Sequence, residues 1–320
     1  MRRKRIGQLG FGEASVRAPR GRDTLGEINR LVDWGPIEQL LDGIHAAARG
    51  EPAYPPLMMF KVLLLQRWHS LSDPQMEAAL PDRLSFLRFA GLSLEDATPD
   101  HSTIWRFREL LTKNGVAEAV FAAVLSQLSA CGLLLRQGTL IDASLVTSAA
   151  RRPRMDEEKI SPTDPDARFG VASENRRFVF GYKAHVAVDE GSGLVRALVT
   201  TPANVQEIDV ALKIIPADAG IVYGDRGYDA RHLRDALAAR SLGCGLMRRG
   251  KKGAPLSQAE REANHALSLV RRNVERVFAT MKRSYRMARM RAFSLARNHV
   301  DLTLFAIALN LRRWAVLARP

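Results

Sequence analysis

Apolar residues recur at helical spacing over the first part of the chain. The segment Leu57–Trp68 is apolar on most sides, which predicts a buried helix. The segment Ser72-Asp73-Pro74-Gln75 combines a capping serine, a proline in the first turn and a glutamine three residues after the cap, which predicts that a short helix starts there. A further helix is predicted to start after Asp100. We therefore expect an all-helical N-terminal domain over residues 26–135.

From Gly138 onwards, the apolar positions indicate strands as well as helices. Thr139–Val146 is predicted to be a strand, and Phe178–Val188 and Leu194–Thr201 are predicted to form a hairpin. Helices and strands are then predicted to alternate: a helix at Asn204–Ile215, a strand at Ile221–Tyr223, a helix at Asp229–Arg240, a strand at Cys244–Met247 and a long helix after the capping box Ser257–Glu260. This order predicts an α/β domain with a mixed sheet and flanking helices over residues 136–320.

Basic residues outnumber acidic ones, with 48 Lys and Arg against 34 Asp and Glu, a net charge of +14. Such a charge predicts a polyanionic partner, and nucleic acid fits better than a membrane because nothing resembles a lipid anchor. A merely soluble basic protein is the alternative. Residues 1–25 are basic and glycine-rich, which predicts a flexible arm, and residues 150–177 are polar with three prolines, which predicts a mobile loop.

The two cysteines, Cys131 and Cys244, are not paired in a CxxC motif, so we expect a reducing compartment and no thiolate zinc site. The basic N-terminus is not followed by the apolar run of a signal peptide. The apolar segment Val300–Ala318 is interrupted by polar and charged residues, which predicts a core helix rather than a membrane span. These features predict a cytoplasmic protein.

Two aspartates occupy positions that need a reason. Asp142 lies inside the predicted strand Thr139–Val146, where aspartate is disfavoured. Asp225 follows the predicted strand Ile221–Tyr223, at the kind of carboxyl end where active sites of open α/β sheets collect. The alternatives are a hydrogen bond at a strand end for Asp142 and an ordinary turn for Asp225.

A third acid lies in a strongly basic helix. Arg271, Glu275, Phe278 and Lys282 fall on one helical stripe, and Glu275 is the only acid among eight basic residues between 271 and 291. Carboxylates suit Mg²⁺ or Mn²⁺, so Asp142, Asp225 and Glu275 could converge on a pair of such ions. The alternative is a basic amphipathic helix in which Glu275 pairs with a neighbouring arginine.

With these motifs, the chain resembles the DDE transposases of bacterial insertion sequences, particularly the insertion-sequence-five group of the insertion-sequence-four superfamily. The most specific motif is Arg271-x3-Glu275-x6-Lys282. The other matching motifs extend over nearly the whole chain: Ala97–Arg108, Gly138–Ala143, Phe180–His185, Thr201–Asn204 and Gly224–Tyr228. The chain departs from the family at Ser268, where a tyrosine is usual, and at Arg226, where a small residue is usual. Neither residue is an expected metal ligand.

The resemblance implies a ribonuclease-H-like core in which Asp142, Asp225 and Glu275 bind two divalent ions, Mg²⁺ or Mn²⁺. It also implies that Arg271 and Lys282 contact phosphates of the DNA ends. The same cationic helix carries two further candidate DNA contacts, Arg272 and Arg276.

In the predicted helical domain, the helix after Asp100 carries Trp105, Arg106 and Arg108. Short helices joined by tight turns are typical of helix-turn-helix proteins, so we expect these three side chains to contact DNA bases. A helical scaffold without groove contacts is the alternative.

Five residues are candidates for a supporting role around the acids. Lys183 and His185 lie on one face of a predicted strand, and Asn204 and Glu207 follow the end of the next strand. Tyr228 follows the turn at Asp225. For each of the five, a surface or packing role is the alternative.

We thus expect a transposase that binds the terminal inverted repeats of its own element, cleaves double-stranded DNA and joins the 3′-OH end to target DNA. It should act as a homodimer or higher multimer on DNA, associated with the nucleoid and not with a membrane. The alternatives are a metal-dependent nuclease of the same fold and a catalytically idle DNA-binding regulator.

Overall fold

The computed structural model describes residues 3–8, 23–44, 52–154, 160–171, 177–251 and 253–319. They divide into two compact units, one drawn from residues 1–131 and 303–320, the other from residues 132–302. Most of the predicted arm at residues 1–25 lies outside the described residues, as do 155–159 and 172–176 of the predicted loop.

The described part of the first unit is helical. Its elements up to residue 131 are α1 (Thr24–Leu31), α2 (Gly35–Asp42), α3 (Pro56–Trp68), α4 (Asp73–Asp82), α5 (Leu84–Ala90), α6 (His101–Asn114) and α7 (Val116–Ala130). The predicted start signals are confirmed, because Ser72 and Gln75 form a capping box on α4 and Asp100 caps α6 by accepting from the Thr103 amide at 2.7 Å. Helix α3 is buried along almost its whole length.

The last helix of the chain contributes to both units. Helix α11 spans Leu295–Leu317, and from Thr303 onwards it belongs to the helical unit. There the Trp68 indole donates to the Ala308 carbonyl at 2.8 Å. The helical unit is therefore completed by residues that the sequence analysis placed in the α/β domain.

The second unit contains a mixed sheet, as predicted. Its elements are β1 (Gly138–Thr147), β2 (Arg168–Val171), β3 (Phe178–Asp189), β4 (Val195–Pro202), α8 (Glu207–Ile214), β5 (Ile221–Gly224), α9 (Arg231–Ala239), β6 (Gly243–Leu246) and α10 (Gln258–Ala279). Strand β1 is central, antiparallel to β3 and parallel to β5, and β6 continues the sheet in parallel beside β5. Strands β2 and β4 both pair antiparallel with β3.

One predicted element differs from the structure. We predicted a loop throughout residues 150–177, but Arg168–Val171 forms β2 and pairs with Phe178–Gly181 of β3. The four-residue strand is too short to show an alternating pattern, and its aromatic Phe169 packs against Phe180 with ring centroids 5.1 Å apart. Tertiary pairing therefore decides the conformation here, and local sequence does not.

The two faces of β1 serve different purposes. Ile141 belongs to a buried core with Val210 and Ala211 of α8 and Leu233 and Leu237 of α9. Successive residues of a strand point to opposite faces, so Asp142 points away from this core. It is contacted by α10, which runs along the other side of β1.

Candidate active site

The parallel register of β1 and β5 brings the two predicted aspartates together. Leu140 of β1 lies opposite Tyr223 of β5. Asp142 and Asp225 each follow two residues later, so they lie level with each other, Asp142 in the middle of β1 and Asp225 directly after the carboxyl end of β5. The Asp225 carboxylate caps the short turn that follows by accepting from the Gly227 amide at 2.8 Å.

The third carboxylate beside them is Glu207. Asp142, Glu207 and Asp225 each offer an oxygen, and these oxygens lie within 4.8 Å of one another. Glu207 is the first residue of α8 and follows β4 closely, so the β4–α8 connection delivers it to the sheet edge. Among the described residues, this is the one group of three or more possible metal ligands.

Arg271 of α10 contacts the cluster directly. Its Nη2 lies 2.9 Å from Asp142 Oδ2, and its Nη1 lies 3.9 Å from the Met247 sulfur. Both partners of the ion pair are largely buried, with side chains 12% and 16% exposed. The Ala143 amide donates to the other oxygen of Asp142 at 2.8 Å.

Burial nevertheless raises the pKa of Asp142 to about 7, with help from the charges of Asp225 and Glu207 and against the effect of Arg271. Burial also raises the pKa of Glu207, where Lys183 opposes and Asp225 adds to the shift. Burial therefore outweighs the one arginine and the one lysine beside these carboxylates.

Lys183 of β3 lies on the other side of the cluster. Its ammonium donates to the Val205 carbonyl at 2.9 Å and lies 3.4 Å from Glu207 Oε1. The side chain is 12% exposed, so its charge acts in a partly desolvated setting. Lys183 was predicted to support the acids, and the structure places it there.

A cavity of about 440 Å³ opens beside the carboxylates. Its lining contains two of the three acids, Glu207 and Asp225. It also contains four basic residues: Lys183, Arg226, Arg249 and Lys282. Acids within a basic cavity suit a phosphodiester held beside metal ions, because the cations attract the polyanion while the carboxylates bind the ions.

The other predicted supporting residues lie in different settings. His185 is fully buried, its Nε2 lies 2.9 Å from Thr201 Oγ1, and burial lowers its pKa to about 4. Tyr228 is also fully buried, and burial together with the three carboxylate charges raises its pKa well above the ordinary value. Asn204 is exposed.

Glu275 is exposed on α10 and is not part of the carboxylate group that the described residues form. Arg271, one helical turn earlier, points at Asp142 instead. Arg272 and Arg276 are exposed on the same helix, and Lys282, in the π-helical turn that follows, lines the cavity.

In the helical unit, the three predicted DNA contacts of α6 differ in their environment. Trp105 is 50% exposed and Arg106 is exposed. Arg108 is largely buried, with its Nη2 2.6 Å from Asp73 Oδ1 and 2.8 Å from Gln66 Oε1. The structure therefore presents Trp105 and Arg106 to solvent and commits Arg108 to α3 and α4.

Sequence reasoning underrated Glu207 and did not include Arg226 or Arg249 among the site residues. The signal for Glu207 was present, because an acid at a helix start directly after a strand lies near the carboxyl edge of the sheet. Arg226 and Arg249 carry no comparable signal, since exposed arginines are common in a basic chain.

The donor set fits a divalent cation. Three carboxylates within 4.8 Å offer the hard oxygen ligands that Mg²⁺ and Mn²⁺ prefer. A bound cation would offset the cost of burying the ionised forms of Asp142 and Glu207.

Comparison with known protein families agrees with this site. Residues 134–311 match the family described as Transposase DDE domain, and residues 13–110 match the one described as Transposase domain (DUF772). The chain therefore belongs to the DDE transposases, of the insertion-sequence-four-like type, which are enzymes that act on DNA with divalent metal ions. No solved structure matches the chain. In the part of the chain that the structure describes, no helix has both the length and the apolarity to cross a bilayer.

Proposed function

We propose that this chain is the transposase of an insertion sequence of the insertion-sequence-five group. It binds the terminal inverted repeats of that element, cleaves there with two divalent ions, Mg²⁺ or Mn²⁺, and joins the freed 3′-OH end to target DNA. The observation that carries the proposal is the convergence of Asp142 and Asp225 with a third carboxylate beside a basic cavity, in a chain of the transposase DDE family.

We assign the catalytic role to the carboxylates of Asp142, Asp225 and Glu275. The β1–β5 register holds the first two level with each other. Divalent ions held there would supply an activated oxygen nucleophile and would neutralise charge on the leaving oxygen. Arg271 orients the Asp142 carboxylate and supplies positive charge beside it.

We assign the phosphate contacts to the cations around the cavity and on α10. Lys282, Arg226 and Arg249 line the cavity, and Arg271, Arg272 and Arg276 lie on α10. Such contacts position the DNA without reading its sequence. The mixed sheet with helices on both sides of β1 supports the ribonuclease-H-like assignment of this unit.

We assign sequence recognition to the helical domain at residues 26–135, through Trp105 and Arg106 on α6. Both are exposed on a helix of a size that fits the major groove. Two element ends must be held at once, so the active form on DNA is a homodimer or a higher multimer.

The test uses the full chain, DNA carrying the inverted repeats that flank its coding region, and a scrambled control DNA. The wild-type protein should shift the repeat DNA in preference to the scrambled DNA, cleave it only with Mg²⁺ or Mn²⁺, and join pre-cut ends to a target plasmid. Asp142→Asn and Asp225→Asn should bind the repeats and fail to cleave. If the wild-type protein cleaves DNA but does not join pre-cut ends, the chain is a nuclease instead. If the two variants cleave as well as the wild-type protein, the carboxylate centre is refuted.

A further inference from the structure

Glu207 is placed by three separate features of the sheet unit. It starts α8 immediately after the Gln206 cap, and its Oε1 lies 3.4 Å from the Lys183 ammonium. Its oxygen lies within 4.8 Å of oxygens of Asp142 and Asp225, which come from two other elements. The side chain is 29% exposed, and Glu207 lines the cavity.

Gly227 shows how closely the carboxylates approach one another. A Cβ atom at this position would lie 2.9 Å from Asp225 Oδ1 and 3.4 Å from Glu207 Oε2. Two carboxylates that repel each other therefore converge on the space that the missing side chain leaves. Such an arrangement makes sense when a cation is shared between them.

A buried hydroxyl beside the cluster gives an independent indication of a ligand. Tyr228 is fully buried, and its hydroxyl has no hydrogen-bond partner among the described residues. Tyr228 ends the short turn that Asp225 caps, and its amide donates to the Asp225 carbonyl at 3.0 Å, which places it beside the cluster. A buried hydroxyl without a protein partner is costly, so it indicates a polar group bound next to the carboxylates.

The charges within the cluster point the same way. Two of the three carboxylates contact a cation: Asp142 contacts Arg271 and Glu207 contacts Lys183. Asp225 is left with the Gly227 amide as its hydrogen-bond donor. When the three carboxylates, Arg271 and Lys183 are all ionised, one negative charge is left without a positive partner. This excess favours a cation at the centre of the cluster.

We propose that Glu207 is a ligand of the divalent ion before DNA binds, together with Asp142 and Asp225. The inference rests on the proposed function, because it concerns the same metal centre. It adds an acid outside the Asp142, Asp225 and Glu275 set. In the DNA-free chain, the exposed Glu275 does not contribute to the affinity for the ion.

Mn²⁺ binding to the full-length protein without DNA tests this, with free Mn²⁺ measured by electron paramagnetic resonance. Glu207→Gln and Asp142→Asn should each weaken Mn²⁺ binding at least about tenfold. Asp209→Asn is the matched control, because Asp209 is an exposed acid in the same first turn of α8. Asp209→Asn and Glu275→Gln should leave the Mn²⁺ affinity unchanged.

Glu207→Asp separates ligation from a general charge effect, since it keeps the negative charge and shortens the reach of the carboxylate. Weak Mn²⁺ binding by Glu207→Asp supports ligation, and wild-type affinity in both Glu207 variants overturns it. If Asp142→Asn also binds Mn²⁺ like the wild type, the proposed metal centre itself is wrong. If the Glu207 variants bind Mn²⁺ like the wild type and Asp142→Asn does not, only the role of Glu207 is refuted and the proposed metal centre stands.

Discussion

Each unit of the molecule contains a buried arginine–aspartate pair, and the two pairs behave in opposite ways. Arg108–Asp73 in the helical unit has a shortest distance of 2.6 Å, and Arg271–Asp142 in the sheet unit has one of 2.9 Å. The exposed fractions are similar, at 16% and 21% for the first pair and 12% and 16% for the second. The exposed side-chain fractions and the type of partner therefore do not distinguish the two pairs.

The surroundings of each carboxylate make the difference. Burial alone would raise the pKa of Asp73, but hydrogen bonds from Arg108 and Gln66 and nearby arginine charges hold it below the ordinary value. Burial raises the pKa of Asp142 to about 7, and the charges of two acidic neighbours add to the rise, even though Arg271 touches the carboxylate. A carboxylate whose hydrogen bonds and charge are satisfied stabilises a fold, whereas one left short of positive charge is prepared for a cation.

The largest expected effect comes from removing each carboxylate charge in turn. Asp73→Asn should lower the free energy of unfolding by about 3 kcal/mol, because Arg108 loses its buried counter-ion. Asp142→Asn should cost less stability, since it also removes repulsion from two acids, but it should abolish DNA cleavage. Urea unfolding and a cleavage assay on both variants measure this, and a larger stability loss in Asp142→Asn would remove the distinction between the pairs.

Divalent ions sharpen the comparison further. Mn²⁺ at about a hundredfold excess over its Kd should stabilise the wild-type protein by about 2.7 kcal/mol, because it binds the folded state. Asp73→Asn should keep this increment and Asp142→Asn should lose it. Denaturation with and without Mn²⁺ gives the increment, and equal increments in both variants would show that the ion binds elsewhere.

His185 extends the comparison to pH. Its pKa is about 4 in the folded state and near 6.5 when unfolded, so the unfolded state takes up the proton first as pH falls. This contribution to stability is therefore present above about pH 6.5 and is lost between there and pH 4. Between pH 7 and pH 5, the free energy of unfolding of the wild-type protein should fall by about 2 kcal/mol more than that of His185→Gln. Equal losses in the two proteins would contradict the prediction.

The smallest effects concern DNA binding. Arg106→Ala should weaken the free energy of binding to the terminal repeats by about 1 kcal/mol and relax the preference for them, because Arg106 is exposed on α6. Lys282→Ala should weaken binding to any sequence and lower the salt slope by about one unit. Gel shifts on matched and scrambled ends over a range of salt concentrations separate these outcomes. A uniform loss in Arg106→Ala would remove α6 from sequence recognition.

The local sequence was sufficient to predict most of the helices and strands and two of the three clustered acids. Caps, prolines and apolar spacing located the helices, and the position of Asp225 after a strand indicated its edge of the sheet. The short β2 was missed because its pairing with β3 is decided by tertiary contact.

The composition of the cluster could not be predicted because it depends on three-dimensional register. No local pattern states that Leu140 pairs with Tyr223, and this pairing is what sets Asp142 level with Asp225. In the same way, Arg108 was interpreted as a DNA contact because the sequence does not show Asp73 and Gln66 beside it. Helical spacing grouped Glu275 with Arg271, and its role in catalysis stays a prediction.

The bond between the Trp68 indole and the Ala308 carbonyl also concerns how the chain is made. The two residues are 240 positions apart, so the helical unit cannot finish folding until almost the whole chain has left the ribosome. At ordinary rates of translation, the residues between 131 and 303 impose a delay of roughly 10–35 s. The sheet unit is encoded without interruption, so it can mature first, and the unit proposed to recognise DNA sequence would be the last to form.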